Sequence, residues 1–279
     1  MTDPNFLHAG DHVHLGPGVT GTRVTNPAVN IYDLPRIDLV LLSHYHADHF
    51  DQLVEDVLRR DLPIITTPHA HHALTSKTPS SENFTEVTPL DTWSSCLVHI
   101  SPSGSTSGAK KCVKVTAMPG KHVPPGPFGL LEKLNELAAA VPPTNGWMVE
   151  LGEETESGED VNMGYRIYIS GDTLFVDDLK DIPVKYPHVD LMLIHLGGTT
   201  LPGPSVPLLM VTMDALQGIQ LVHLIQPDVT IPIHYDDYDV FLSPLKDFQE
   251  QMTKAGLDKK VVYLDRGEGY KFAVKSSHR

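Results

Sequence analysis

"LLSHYHADHF", residues 41–50, closes a run of aliphatic side chains with three histidines and an aspartate inside six residues. In an extended segment alternate side chains point the same way. His44, His46 and Asp48 can therefore converge on one side, while a turn at Asp48-His49 redirects His49. One short loop can thus feed two adjacent metal ions. An isolated H-x-H is a weak signal, shared with ordinary surface and core histidines. H-x-H-x-D-H at the end of an aliphatic strand is far more specific. Imidazole and carboxylate without thiolate suit Zn, Mn or Fe, and argue against copper(I) or a structural cysteine-type zinc site.

Four ligands on one loop cannot fill two coordination spheres, so further ligands are expected at the ends of later strands. "TAMPGKHVPPG" puts His122 after a strand ending near Met118. "YISGDT" puts Asp172 after residues 165–170, and "TIPIHYD" puts His234 after residues 228–233. Each alone reads equally well as a cap or a hydrogen-bonded loop residue. Their combination in this order favours a metal site.

The rest of the chain sets the frame. Its 279 residues, 41% hydrophobic, suffice for a sizeable core, and no linker divides them, so a single domain over 1–279 is expected. A formal net charge of −14, with no Lys/Arg cluster, excludes a phosphate-backbone footprint and makes nucleic acid an unsuitable partner. No run of about 18 apolar residues and no signal-peptide pattern appears, so neither membrane nor export is expected and the cytosol is the expected compartment. Cys96 and Cys112 flank a Gly/Ser-rich stretch and are read as free thiols rather than a bridge in a reducing compartment. The acidic run 153–160 reads as a solvated hairpin tip.

Short aliphatic runs recur: "IDLVLL", "LPIITT", "KCVKVTAM", "GWMVEL", "YRIYIS", "VDLMLIHL", "DVTIPIH" and "KVVYLD". They predict strands buried on at least one face. Helical spacing predicts helices over 51–60, capped by Asp51, and over 129–140, 173–181, 212–226 and 243–255. The last is opened by Ser243-Pro244 as cap and first-turn proline. Strands interleaved with helices, without strict alternation, imply an α/β fold with two sheets sandwiched between helices.

The set "HYHADH", "GKH", "SGDT" and "PIHYD" resembles the successive metal-binding motifs of the metallo-β-lactamase superfamily, over most of the chain. The resemblance implies an αββα four-layer sandwich with a dinuclear site at the sheet edges. It assigns His44, His46 and His122 to one metal, and Asp48, His49 and His234 to the other, with Asp172 bridging. The bridging aspartate is unlike the antibiotic-degrading branch, and His46 is unlike the flavo-di-iron proteins. The pattern is similar to the branch of ascorbate-6-phosphate lactonase and N-acylphosphatidylethanolamine phospholipase D. "HAGDHVHLGPGVTGTRVTNPA" and "VPPTNGWMVEL" resemble a fungal subgroup that opens lactone, lactam or cyclic carbamate rings, benzoxazolinone-type rings among them. Family members usually carry two further strands before the "TDP" at Thr2–Pro4. The resemblance therefore implies a first sheet lacking those strands, with an uncovered edge that would invite pairing with a second copy.

The expected function is a metal-dependent hydrolase of the lactamase or lactonase type, using two divalent ions, Zn²⁺ foremost with Mn²⁺ or Fe²⁺ as alternatives. A hydroxide bridging the ions would attack the carbonyl of a small cyclic amide, carbamate or ester, with Asp48 orienting it and passing a proton to the leaving atom. A phosphodiesterase or phospholipase of the same superfamily is the alternative within enzymes. A degenerate, non-catalytic metal-binding protein is the alternative outside them. His195, ending "LMLIH", is a candidate substrate contact as well as a candidate structural histidine. Tyr235, His12 and His14 are further candidate substrate contacts, and Phe128 and Trp147 are candidate stacking aromatics. "HAHH" at 69–72 reads as a helix start after Pro68 with solvent or rim histidines.

Overall fold

The computed structural model of the protein describes residues 1–16, 19–100, 110–126, 129–131, 133, 135, 141–158, 160–201 and 209–275. Two sheets face each other. The larger runs, in spatial order, Val229–Ile233, Leu191–His195, Val161–Ile169, Gly146–Glu154, Lys111–Met118 and Ser95–His99. The smaller is all parallel: Val40–Leu41, Ile64–Thr66 and Val87–Pro89.

Alternation along the strands divides the large sheet's side chains between two cores. Ala117, Trp147, Val149 and Ile169 face inward and meet Leu41, Ile65 and Leu90 of the small-sheet layer. Met118, Met148, Tyr168, Met192 and Ile194 face outward and pack on the helices Ala215–Ile225 and Leu245–Lys254 through Leu221, Val222, Phe248 and Met252. Beyond the small sheet, Val40, Leu42 and Ile64 meet Val54, Ala70 and Leu74 of the helices Gln52–Val57 and Pro68–Thr75. The order helix, sheet, sheet, helix is the expected four-layer α/β sandwich.

The topology explains where the site lies. Lys111–Met118 is antiparallel to Gly146–Glu154, which is antiparallel to Val161–Ile169, and that strand is parallel to Leu191–His195 and Val229–Ile233. Four strands therefore leave the large sheet at one edge, delivering His122, Asp172, His195 and His234 together. Asn145 ties this edge to the small sheet: its N–H donates to Ser43 O at 3.0 Å and its side-chain amide to Leu90 O at 2.9 Å.

Several elements differ from expectation. "KVVYLD" forms no strand; it makes an isolated bridge between Val261 and Thr230 after a 3₁₀ turn at Asp258–Lys260. The helix expected over 173–181 is a 3₁₀ turn, Asp177–Lys180, running into a short helix, Asp181–Lys185. Val176, before that turn, is extended, and the N–H groups of Leu174 and Phe175 donate to Lys121 O and Gln217 Oε1. Pro244 occupies the cap position of Leu245–Lys254, and Ser243 Oγ accepts from Ala215 N of the neighbouring helix rather than capping its own. As expected, Cys96 and Cys112 are free thiols: Cys112 pairs in register with His99 and Cys96 with Val115, so they are not opposite one another. At the small sheet, Met1–Asp3 runs beside Val40–Leu41, with Leu41 N donating to Met1 O and Asp3 N to Leu41 O. Of the helix expected over 129–140, residues 132, 134 and 136–140 lie outside the described residues, as does Phe128. No helix among the described residues is long and apolar enough to cross a membrane.

Candidate metal centre

The loop after Val40–Leu41 turns sharply. His49 N and Phe50 N both donate to His46 O, and Asp51 then caps the helix Gln52–Val57 by accepting from Val54 N at 2.8 Å. This turn separates the loop's donors into two groups. His44, His46 and His122 offer nitrogens within 4.8 Å of one another, and Asp48, His49, Asp172 and His234 form a second such group. The groups adjoin: His122 Nε2 lies 3.9 Å from Asp172 Oδ2, and His46 Nδ1 lies 3.6 Å from Asp48 Oδ1. All seven residues of the expected ligand set are thus brought together from four separate segments.

Four of the five imidazoles, all but His46, have a polar partner at the second nitrogen, which selects the nitrogen left for a ligand. His122 Nδ1 is 2.5 Å from Val211 O, and His234 Nδ1 is 2.9 Å from Leu196 O. His44 Nδ1 lies 2.9 Å from Ser43 Oγ. His49 Nδ1 lies 3.2 Å from Asp3 Oδ2, while its Nε2 faces Asp172 Oδ2 at 3.3 Å and Asp48 Oδ2 at 3.6 Å. Thr212 Oγ1 donates to Asp172 Oδ2 at 3.2 Å. His234 holds its position with φ +59° and Gly171 with φ +60°, left-handed conformations that turn the chain abruptly at the strand ends.

The buried charges fit a cation. Burial holds His44 and His122 below the ordinary histidine range and takes His46 down to about 4, so these three imidazoles are neutral donors at pH 7. Burial alone would raise Asp48 and Asp172, but the surrounding histidines, His49 and His234 foremost, outweigh it and keep both carboxyls below the usual range. His49 and His234 are driven the opposite way: burial would lower them, yet Asp172 and Asp48 raise both. The raised imidazoles and lowered carboxyls thus favour one another's charged forms, and a divalent cation can supply the same positive charge. Five buried atoms, His44 Nε2, Asp48 Oδ1, His49 Nε2, Asp172 Oδ1 and His234 Nε2, have no hydrogen-bond partner. Buried polar atoms left this way carry a large desolvation cost unless something else satisfies them, and these converge on one place.

Of the other candidate residues, His195 adjoins the ligand groups, its ring 6.0 Å from that of His49 and 5.6 Å from that of His234. His195 is buried with its Nε2 3.7 Å from Asp3 Oδ2 and its Nδ1 3.4 Å from Ser170 Oγ. It lines a cavity of about 180 Å³ with Asp3 and Asn5 and with Asp48, His49 and His234, so it adjoins the second ligand group, although it does not line the cleft bounded by His46, Asp48, His122 and Asp172. His12 and His14 stand on the exposed face of the hairpin His12–Gly16/Val19–Thr22, beside Thr22 and Thr20, because Val13 and Leu15 take the buried face. Leu15, rather than either histidine, reaches the cleft. Tyr235 packs against the larger core. Trp147 is fully buried between the sheets, which removes it as a stacking platform. Asp3 stands out in the sequence only as part of the "TDP" landmark; an aspartate before proline signals a turn, and nothing local marks its contact with His49.

A two-sheet sandwich with histidines and aspartates gathered at one strand edge defines a class of protein, and the comparisons agree with it. The model of the beta-lactamase superfamily domain matches residues 13–235. The chain belongs to that family. It is 25% identical over 268 residues to a UPF0173 metal-dependent hydrolase of Archaeoglobus fulgidus, covering 96% of this chain and 94% of that protein. It is 27% identical over 275 residues to another from Polynucleobacter asymbioticus, covering 94% and 80%. Among solved structures, an isothiocyanate hydrolase from Delia radicum gut bacteria superposes with a TM-score of 0.69 at 18% identity, covering 97% of this chain and 91% of that one.

Proposed function

We propose that the protein is a metal-dependent hydrolase with a dinuclear centre, opening the ring of a small cyclic amide, carbamate or ester. His44, His46 and His122 would hold one divalent ion, and Asp48, His49 and His234 the other, with Asp172 between them. The observation that carries this reading is the convergence of unpartnered buried donor atoms from these segments on one place. The relatives' names as metal-dependent hydrolases support it.

Divalent ions bound there would polarise a carbonyl and lower the pKa of water toward about 7. The chain's own groups supply the rest. Asp48 keeps an ionised carboxyl whose Oδ1 has no hydrogen-bond partner, so it can accept a proton from the attacking water and return it to the departing nitrogen or oxygen. Thr212 fixes Asp172, and the carbonyls of Val211 and Leu196 fix His122 and His234, so the donor geometry is set before substrate arrives. Leu15, Val141 and Val211 give the cleft apolar walls that favour a small uncharged substrate.

Phosphodiester hydrolysis is the weaker reading: the described residues lining that cleft include no Lys or Arg, and the basic residues of the two adjoining cavities, Lys121 and Arg23, face Asp178 and Asp237. The test is a panel of lactones, lactams, cyclic carbamates and phosphodiesters offered to the zinc-loaded protein. Ring opening that is abolished by chelation and by His46→Ala is the expected result; turnover of phosphodiesters alone would overturn it.

A further inference from the structure

Beside the metal centre lies a cavity of about 300 Å³ whose lining includes His69, Lys121, His122, Val123, Val141 and Pro142. It shares His122 and Val141 with the cleft that reaches His46, Asp48 and Asp172. A molecule seated in it can therefore present one end to the centre.

His69 enters from the first turn of Pro68–Thr75. That turn is fixed by Thr67, whose Oγ1 accepts from Ala70 N, and by Pro68 at the start of the helix. Ala70 and Leu74 take the buried face of the helix, which leaves His69 exposed toward the cavity. Its ring makes no hydrogen bond to any described residue, unlike the oriented imidazoles of the centre. Burial, together with the nearby His72, lowers its pKa, so at neutral pH the ring offers one N–H and one lone pair without charge. The Lys121 ammonium is 3.5 Å from Asp178 Oδ2, so its charge is opposed. Val123, Val141, Pro142 and Pro143 supply an apolar wall.

We propose that this cavity is the specificity pocket of the protein, taking a small uncharged ring against the Val/Pro wall, and that His69 hydrogen-bonds a hydroxyl or carbonyl substituent on that ring. The placement of the reacting bond at the centre rests on the hydrolase reading above; the occupancy of the pocket does not. An unpaired polar group in a binding pocket discriminates by being satisfied in one ligand and left unsatisfied in its analogue.

The test uses a matched pair of fused-ring lactones, dihydrocoumarin and its hydroxyl-bearing derivative, with the zinc-loaded wild type, His69→Ala and His69→Asn. The readout is the ratio of kcat/KM for the two substrates. In His69→Ala the preference for the hydroxylated lactone should fall about five- to tenfold, the size of one neutral hydrogen bond, chiefly through KM. His69→Asn should recover part of it. An unchanged ratio in both variants would overturn the role of His69. A second measurement needs no turnover: saturation transfer to phenol in NMR should appear with the wild type, persist after chelation and weaken in His69→Ala. If neither lactone is opened but phenol binds this way, the pocket stands and the hydrolase reading falls. If phenol does not bind the wild type, the pocket assignment falls even where lactones are opened.

Discussion

Asp3 Oδ2 lies 3.2 Å from His49 Nδ1, and the same carboxyl's Oδ1 accepts from Ser43 N at 2.7 Å. One side chain from the start of the chain therefore holds both the ring of a metal-ligand candidate and the backbone entering the ligand loop. A carboxylate behind an imidazole fixes its tautomer and raises its basicity toward a metal. Asp3→Asn should weaken metal retention about 10–100-fold, with the ion at Asp48, His49 and His234 lost first. Metal content after dialysis against graded chelator measures this, and retention equal to wild type would remove Asp3 from that role.

Gly171 precedes Asp172 with φ +60°, and a Cβ there would sit 2.4 Å from Asn145 O. The obstruction is backbone, so no side-chain rotation relieves it. Gly171→Ala should cost about 2–4 kcal/mol through the left-handed conformation and the clash together. Chemical denaturation would show a lowered midpoint; a midpoint equal to wild type would mean that this turn relaxes freely.

Asp237 pairs with Arg23 at 3.1 Å and accepts from Thr25 Oγ1 at 2.7 Å. Burial would raise its carboxyl, but Arg23, Thr25 and Arg266 outweigh it and hold the group below the usual carboxylate range. A folded pKa below the unfolded value of about 3.9 stabilises the fold at higher pH, and that stability is lost as pH falls through the folded value. Asp237→Asn should cost about 2 kcal/mol at pH 7, less than a fully buried pair because a quarter of Asp237 meets solvent. Unfolding free energies of both proteins across pH 2–8 should converge at the acid end; a gap independent of pH would contradict the assignment.

Much of this architecture is legible in the sequence because its signals are local. Lys111–Met118 and Gly146–Glu154 announce themselves by aliphatic content, and the ligands follow strands at fixed, readable positions. Asp3, Ser43 and Thr212 are not legible, since each acts on a residue distant in sequence through a contact that only the packed sheets create. The same holds for His12 and His14. Their spacing suggests a site, yet Val13 and Leu15 claim the buried face and turn the histidines outward. In 173–181 the chain is extended at Val176 and turns only at Asp177, a start that the helical spacing does not mark.

On the proposed reading, catalysis requires two ions held by these seven side chains. Metal-stripped protein titrated with Zn²⁺, while ring opening of a lactone substrate is followed, tests it most directly. Activity should rise with added metal and reach its plateau at about two equivalents per chain. Ring opening that is already complete in the stripped protein, or absent at every metal ratio, would contradict it.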